Sequence, residues 1–84
     1  MASVATIADR IQSDLAAFLK QPKDKIELRH SLQKDLGLNS VDTIELIFLL
    51  EGTFNFEFSD AEVQQLVTVS DVIACVEHRM TFRA

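Results

Sequence analysis

Few side chains in this 84-residue sequence are of the types that carry out covalent chemistry. The candidates are one cysteine, two histidines and the serine hydroxyls, among which Ser40 has the most distinctive setting. A serine nucleophile needs a positioned base, and His30 is merely the sequence neighbour of Ser31, which cannot supply the required orientation. Zinc would need about four nitrogen or sulfur ligands, and no glycine-rich loop could hold a nucleotide phosphate. The sequence by itself therefore predicts no catalytic site and no metal site.

Ser40 stands between a glycine turn at Gly37 and the start of a predicted helix. Capping that helix is the ordinary role of such a hydroxyl, with Asn39 as the alternative cap. The position also suits a modification. A helix N-terminus presents free N–H groups and a partial positive charge, so an attached phosphate is tolerated there.

Hydrophobic periodicity predicts an all-α fold: a small four-helix bundle with three longer helices, one short helix and a long first loop. We expect the whole chain, 1–84, to be a single domain. The predicted helices cover about 3–20, 40–53, 59–66 and 68–80. The second carries apolar residues on more than one stripe, which is typical of a central helix, and we expect Phe48 in the core.

Two segments lack a helical pattern. The loop 21–39 has a proline, Pro22, as its second residue, and we expect one turn of helix near 31–35 within it. The segment 54–58 alternates apolar and polar residues, but no second alternating run exists to pair with it. We therefore expect an extended connector with Phe54 and Phe58 pointing inward.

Charge is segregated along the chain. The net charge is −5, and from residue 35 to 78 there are nine carboxylates and no lysine or arginine. An acidic balance argues against nucleic-acid binding, which needs a basic face. A surface of one sign attracts partners of the opposite sign, so we expect partners with basic patches. The alternative is an acidic face that is only solvated.

Cys75 lies among apolar residues of the last predicted helix, which favours packing over reactivity. A lone cysteine cannot form an internal disulfide, and this favours a reducing compartment.

No apolar run approaches the roughly 20 residues that cross a bilayer, and the N-terminus does not look like a secretory signal. We expect a cytoplasmic, monomeric protein that does not enter membranes.

The residues 35–46 read D-L-G-L-N-S-V-D-T-I-E-L. They resemble the attachment motif of acyl carrier proteins, commonly D-L-G-x-D-S-L-D-x-V-E-L, and the resemblance extends without gaps over about 32–76. It implies a four-helix bundle in which a phosphopantetheinyl transferase moves 4′-phosphopantetheine from coenzyme A onto Ser40, supplying the activation and Mg²⁺ itself. The arm would hold acyl or aminoacyl groups as thioesters and present them to loading and processing enzymes, so the chain would be a carrier and not an enzyme.

The resemblance also implies roles for other positions. Those expected to meet basic patches on partner enzymes are Val41, Asp42, Glu45, Glu51 and Asp60. Those expected around a cavity that shelters an acyl chain are Leu46, Ile47, Leu50, Phe54, Phe58, Val63, Leu66 and Val72. For each of the apolar residues, packing in the core is the alternative role.

Some residues depart from the family pattern. Asn39 replaces the usual aspartate before the serine, Gly52 replaces a common acidic residue, and Phe56 adds bulk near the cavity end. These departures indicate a specialised carrier rather than the main fatty-acid one. Leu38 favours acyl over aminoacyl cargo, with fatty acyl and polyketide groups both open. The alternative function is a small helical adaptor that docks through its acidic face and carries no cofactor.

Overall fold

The computed structural model describes residues 4–81, which form four α-helices and one short 3₁₀ turn. The elements are α1 (Val4–Leu19), the 3₁₀ turn (Lys23–Lys25), α2 (Ser40–Phe54), α3 (Asp60–Gln64) and α4 (Val69–Thr81). The all-α, four-helix prediction is confirmed. The 3₁₀ turn was not predicted, and α3 is shorter than expected. Within 4–81, no helix has the length and apolar character needed to cross a membrane.

The core lies where α1 packs against α4 and α2. Because residues four apart share one face of a helix, each of these helices contributes a narrow apolar stripe to it. The residues with the least exposure are Ile11, Leu15, Leu32, Leu46, Leu50, Val69, Val72 and Val76. Every helix but α3 therefore has fully buried residues.

The prediction that α2 is central, with Phe48 in the core, is wrong. Only one face of α2 is covered, and its buried residues are Leu46, Ile47 and Leu50. Four other apolar side chains of α2, Val41, Ile44, Phe48 and Leu49, are exposed, and Phe48 is 64% exposed. Helix α2 is apolar almost all round, but neighbouring elements reach it from one side only. Its composition alone could not reveal this arrangement.

The loop between α1 and α2 is ordered by three separate apolar residues, Ile26, Leu32 and Leu38, each at most 4% exposed. The expected turn near 31–35 is present, and the Asp35 N–H donates to the Ser31 carbonyl at 3.0 Å. The loop therefore packs into the core instead of standing away from it.

The same loop pairs with the segment that joins α3 to α4. The Leu32 N–H donates to the Val67 carbonyl at 2.8 Å, and the Val69 N–H donates to the His30 carbonyl at 3.0 Å. These bonds flank an isolated antiparallel bridge between residues 31 and 68. This backbone pairing joins the loop that precedes α2 to the segment that precedes α4.

The connector after α2 turns inward as expected. Asn55 ends α2 in the left-handed conformation, with φ +58°. Phe58 is buried and Phe54 packs partly against the core. The Glu51 carboxylate accepts the Phe58 N–H at 2.8 Å. Ser59 then caps α3, so the connector is held at both ends by side-chain hydrogen bonds.

Candidate functional site

Ser40 is the first residue of α2, but it does not cap the helix. The Asn39 side chain accepts the Asp42 N–H at 2.8 Å, and the Asp42 carboxylate accepts the Asn39 N–H at 3.2 Å. The prediction of capping by Ser40 is therefore wrong. The capping oxygen must come from the residue before the first helical one, which is Asn39.

The Ser40 side chain is consequently available for chemistry. It is exposed, and its hydroxyl forms no hydrogen bond with any residue in 4–81. The chain reaches it through Gly37, whose φ of +75° is a conformation that favours glycine, and through the buried Leu38. The serine thus stands on a fixed support with an unpartnered hydroxyl at a helix N-terminus, an arrangement that accommodates an attached phosphate.

A cleft of about 440 Å³ opens beside Ser40, between α2 and the α3 region. It is lined by Ser31, Gln33, Lys34, Ser40, Thr43, Ile44, Val63, Gln64, Leu66 and Val67. No carboxylate or imidazole lies in this lining, so the cleft offers no general base to the serine.

Of the eight positions expected to line an acyl cavity, the structure places two, Val63 and Leu66, in this cleft. The other six are outside its lining. Leu46, Leu50 and Val72 are at most 1% exposed and lie in the core. Sequence reasoning missed Gln33, Lys34, Gln64 and Val67, because they come together from segments far apart in the chain.

The five positions expected to meet partners fall into two groups. Val41, Glu45 and Asp60 are exposed. Asp42 and Glu51 are half-buried and accept backbone N–H groups within the chain. These two carboxylates therefore already have structural partners in the capping box of α2 and in the connector.

An exposed apolar stripe on α2 was also missed. Val41, Ile44 and Phe48 are 63%, 50% and 64% exposed. They follow the i, i+3, i+7 spacing of one helix face. The sequence shows that these three positions share a face different from that of Leu46 and Leu50, but not which of the two faces is covered. The stripe runs from beside Ser40 along the helix.

A polar cluster joins α3 to α4. Arg79 Nη1 donates to Glu62 Oε1 at 2.6 Å, and Nη2 donates to the Glu57 carbonyl at 3.0 Å. The guanidinium also lies 5.1 Å from the centre of the Phe56 ring, within the range of a cation–π contact. Arginine and glutamate are 17 residues apart, so no local pattern indicates this cluster.

The cluster shifts two pKa values. The Ser59 N–H and, to a lesser extent, the Arg79 guanidinium lower the pKa of Glu62 from its usual value of 4.5. Burial, and then the Glu62 carboxylate, raise the pKa of Cys75 to about 11. The Cys75 thiol lies 3.5 Å from Glu62 Oε2. The raised pKa of Cys75 agrees with the prediction that Cys75 is not a reactive thiol.

The chain is similar to known proteins over most of its length. Residues 9–76 match the family described as the phosphopantetheine attachment site. The chain is 30% identical over 78 residues to acyl carrier protein 3 of Ralstonia nicotianae. The aligned region covers 93% of this chain and 90% of the relative. It is 34% identical over 76 residues to the acyl carrier protein of Coprothermobacter proteolyticus, with 86% of this chain and 93% of the relative covered. The acyl carrier protein of Akkermansia muciniphila is 33% identical over 72 residues, with 86% and 90% covered. With its attachment motif at the start of α2 and the family match over residues 9–76, this chain belongs to the phosphopantetheine attachment-site family.

Proposed function

We propose that this protein is a carrier that holds acyl groups as thioesters on a phosphopantetheine arm attached to Ser40. The observation that carries the proposal is the exposed, unpartnered hydroxyl of Ser40 at the first position of α2, inside the segment that matches the family. The names of the similar proteins, all acyl carrier proteins, support acyl cargo.

The residues around Ser40 fit a phosphate ester. The hydroxyl oxygen is open to solvent, and the N-terminus of α2 favours negative charge at this position. When attached, the arm supplies a mobile thiol that keeps the acyl carbonyl reactive. The cleft lining holds no base, and we propose that the transferase takes the proton of the Ser40 hydroxyl. The chain's part is to present the oxygen, and we propose that it is not an enzyme.

We propose that partner enzymes dock on α2 and the start of α3. Val41, Glu45 and Asp60 are exposed there, and basic patches on the partners would complement the two carboxylates. Asp42 and Glu51 contribute to the same acidic field while they hold the backbone. The transferase and the loading and processing enzymes would share this face, since all of them must reach Ser40.

Further features of the proposal rest on sequence alone. The whole chain, 1–84, would work as a single carrier domain, monomeric and in the cytoplasm. The departures at Asn39 and Gly52 support a specialised carrier over the main fatty-acid one.

The proposal is tested by the intact mass of the protein after incubation with coenzyme A, Mg²⁺ and a broad-specificity phosphopantetheinyl transferase. We expect a gain of one phosphopantetheine group in the wild type and none in Ser40→Ala. A failure to gain mass with several transferases, in a folded wild type, would overturn the carrier function and favour the adaptor. A gain that persists in Ser40→Ala would overturn the site.

A further inference from the structure

Building on the proposed function and on the family's expected cavity for the acyl chain, we propose that the cleft beside Ser40 favours acyl chains that carry oxygen, such as oxo- or hydroxyacyl groups, over saturated chains. The selecting side chains are Gln33, Lys34 and Gln64.

One part of the cleft favours a chain of carbon atoms. Its apolar residues are Ile44, Val63, Leu66 and Val67. Ile44 and Val67 are 50% and 56% exposed, which is high for side chains of this kind. Covering them with cargo would remove apolar surface from water, which favours binding.

The rest of the cleft is polar, and some of its groups already have partners. The Ser31 hydroxyl accepts the Lys34 N–H at 3.1 Å. The Thr43 hydroxyl donates to the Asn39 carbonyl at 2.9 Å. These two hydroxyls are therefore already hydrogen-bonded to backbone groups around the site.

Three other side chains have no such partner. The amides of Gln33 and Gln64 and the ammonium of Lys34 form no hydrogen bond or ion pair with residues 4–81. Together they present two amide donor groups and an ammonium. A saturated chain lying over them would displace their water without replacing its hydrogen bonds, which is unfavourable. A carbonyl or hydroxyl oxygen on the chain would accept from them instead.

The size of the cleft is sufficient for an acyl group. Its volume of about 440 Å³ lies within the range for small-molecule sites, roughly 300–1,000 Å³. The volume therefore permits binding, and the selection depends on the polar side chains of the lining.

The test uses the full chain loaded at Ser40 with hexanoyl, 3-hydroxyhexanoyl or 5-oxohexanoyl phosphopantetheine. Two quantities are measured: the NMR signals of the glutamine side-chain amides, and the rate of thioester cleavage by hydroxylamine relative to the same acyl group on free pantetheine. We expect the oxygenated groups to shift the Gln33 and Gln64 amide signals. We also expect them to be cleaved about threefold to tenfold more slowly than hexanoyl, the ratio that one net hydrogen bond supplies.

Matched variants separate the cleft from the general surface. Gln64→Leu and Lys34→Met should remove most of the extra protection of the oxygenated groups. Gln65→Leu and Lys25→Met change the same residue types at exposed positions outside this cleft and should leave the protection unchanged. All four variants alter exposed side chains, so each should fold.

The outcomes distinguish this inference from the carrier function. If the mass shows no loading, the carrier function itself fails. If loading succeeds but hexanoyl is protected as well as its oxygenated analogues, or if Gln65 responds as strongly as Gln64, the selectivity of the cleft is refuted while the carrier function stands.

Discussion

The guanidinium of Arg79 and the carboxylate of Glu62 lie 2.6 Å apart and join the last helix to α3. Helix α3 has no fully buried residue, and the same short helix provides Val63 and Gln64 to the cleft beside Ser40. This ion pair is therefore one of the contacts that hold this wall of the cleft, together with the buried Phe58 and Leu66 on either side of α3. Its strength bears on the geometry of the site.

Replacing Arg79 by methionine should weaken this attachment. The pair is partly exposed, so Arg79→Met should lower the free energy of unfolding by only about 1 kcal/mol, as measured by urea denaturation. Arg29→Met is the matched control, because Arg29 pairs with Glu27 at a more exposed site, and its effect should stay below about 0.5 kcal/mol. Equal losses in the two variants would contradict a special role for Arg79.

Acid should weaken the same contact. The pKa of Glu62 in the folded protein is lowered from its usual 4.5, chiefly by the Ser59 N–H. A carboxyl with a depressed folded-state pKa stabilises the fold above its unfolded-state pKa, and this stability is lost as pH falls through the folded-state value. The free energy of unfolding should therefore fall on acidification below about pH 4.5, and Glu62→Gln should make that fall shallower. Glu45→Gln, at an exposed position, should leave the slope nearly unchanged; the reverse ranking would contradict the assignment.

Capping by Asn39 predicts unequal effects at two neighbouring residues. Asn39→Ala removes the cap of α2 and should cost about 1 kcal/mol of stability, within a range of 0.5–2 kcal/mol. Ser40→Ala removes a hydroxyl without a partner and should leave thermal stability nearly unchanged. Asn39→Asp keeps the capping oxygen and serves as the control. A larger loss for Ser40→Ala than for Asn39→Ala would show that the hydroxyl has a structural partner.

The raised pKa of Cys75 predicts slow alkylation. A shift from 9.0 to about 11 lowers the thiolate fraction at neutral pH about 100-fold. Iodoacetamide should label Cys75 far more slowly in the folded protein than in urea, with mass spectrometry following the time course. In the carrier modified with the phosphopantetheine arm but without an acyl group, the free thiol of the arm should be labelled before Cys75. Equal rates for the folded and unfolded chains would show that burial does not protect Cys75.

Docking on α2 should depend on salt and on an aromatic ring. Exchanging Glu45 and Asp60 together for Gln and Asn should slow modification by the transferase at low ionic strength, and this difference should shrink as salt is added. The same exchange at Asp24 and Glu77, away from α2, is the control. Phe48→Ala should slow modification in a manner that salt does not alter. If the control pair has the same effect, only the net charge matters, and no docking face exists.

The sequence predicts the helices well because their order is local. Apolar spacing indicates α1 and α4 to within a few residues, and the motif at 35–46 identifies Ser40. The packing of the loop 21–39 into the core could not be predicted, because Ile26 and Leu32 are single apolar residues in a segment without a period. They are buried only because distant parts of the chain cover them.

The site is predicted only in part, because some of its residues come together from distant parts of the chain. Ser40 is marked by its own neighbours in sequence, whereas the cleft depends on Gln33 and Gln64 meeting across the fold. The sequence does not show whether residue 39 or residue 40 caps α2. The two alternatives differ by one position, and sequence patterns locate a helix end only to within one or two residues. The apolar faces of α2 were distinguishable only once the neighbours on each side were known.

The backbone pairing of Leu32 with Val67 gives the site a distinct topology. This hydrogen bond closes residues 32–67 into a ring that contains α2, Ser40 and α3. Apart from Ser31, the residues that line the cleft lie on this ring, whereas α1 precedes it and α4 follows it in the chain. If a partner pulled the arm outward, the force on Ser40 would pass along the backbone of the ring in both directions. The hydrogen bonds between the two ends of the ring would then resist its opening.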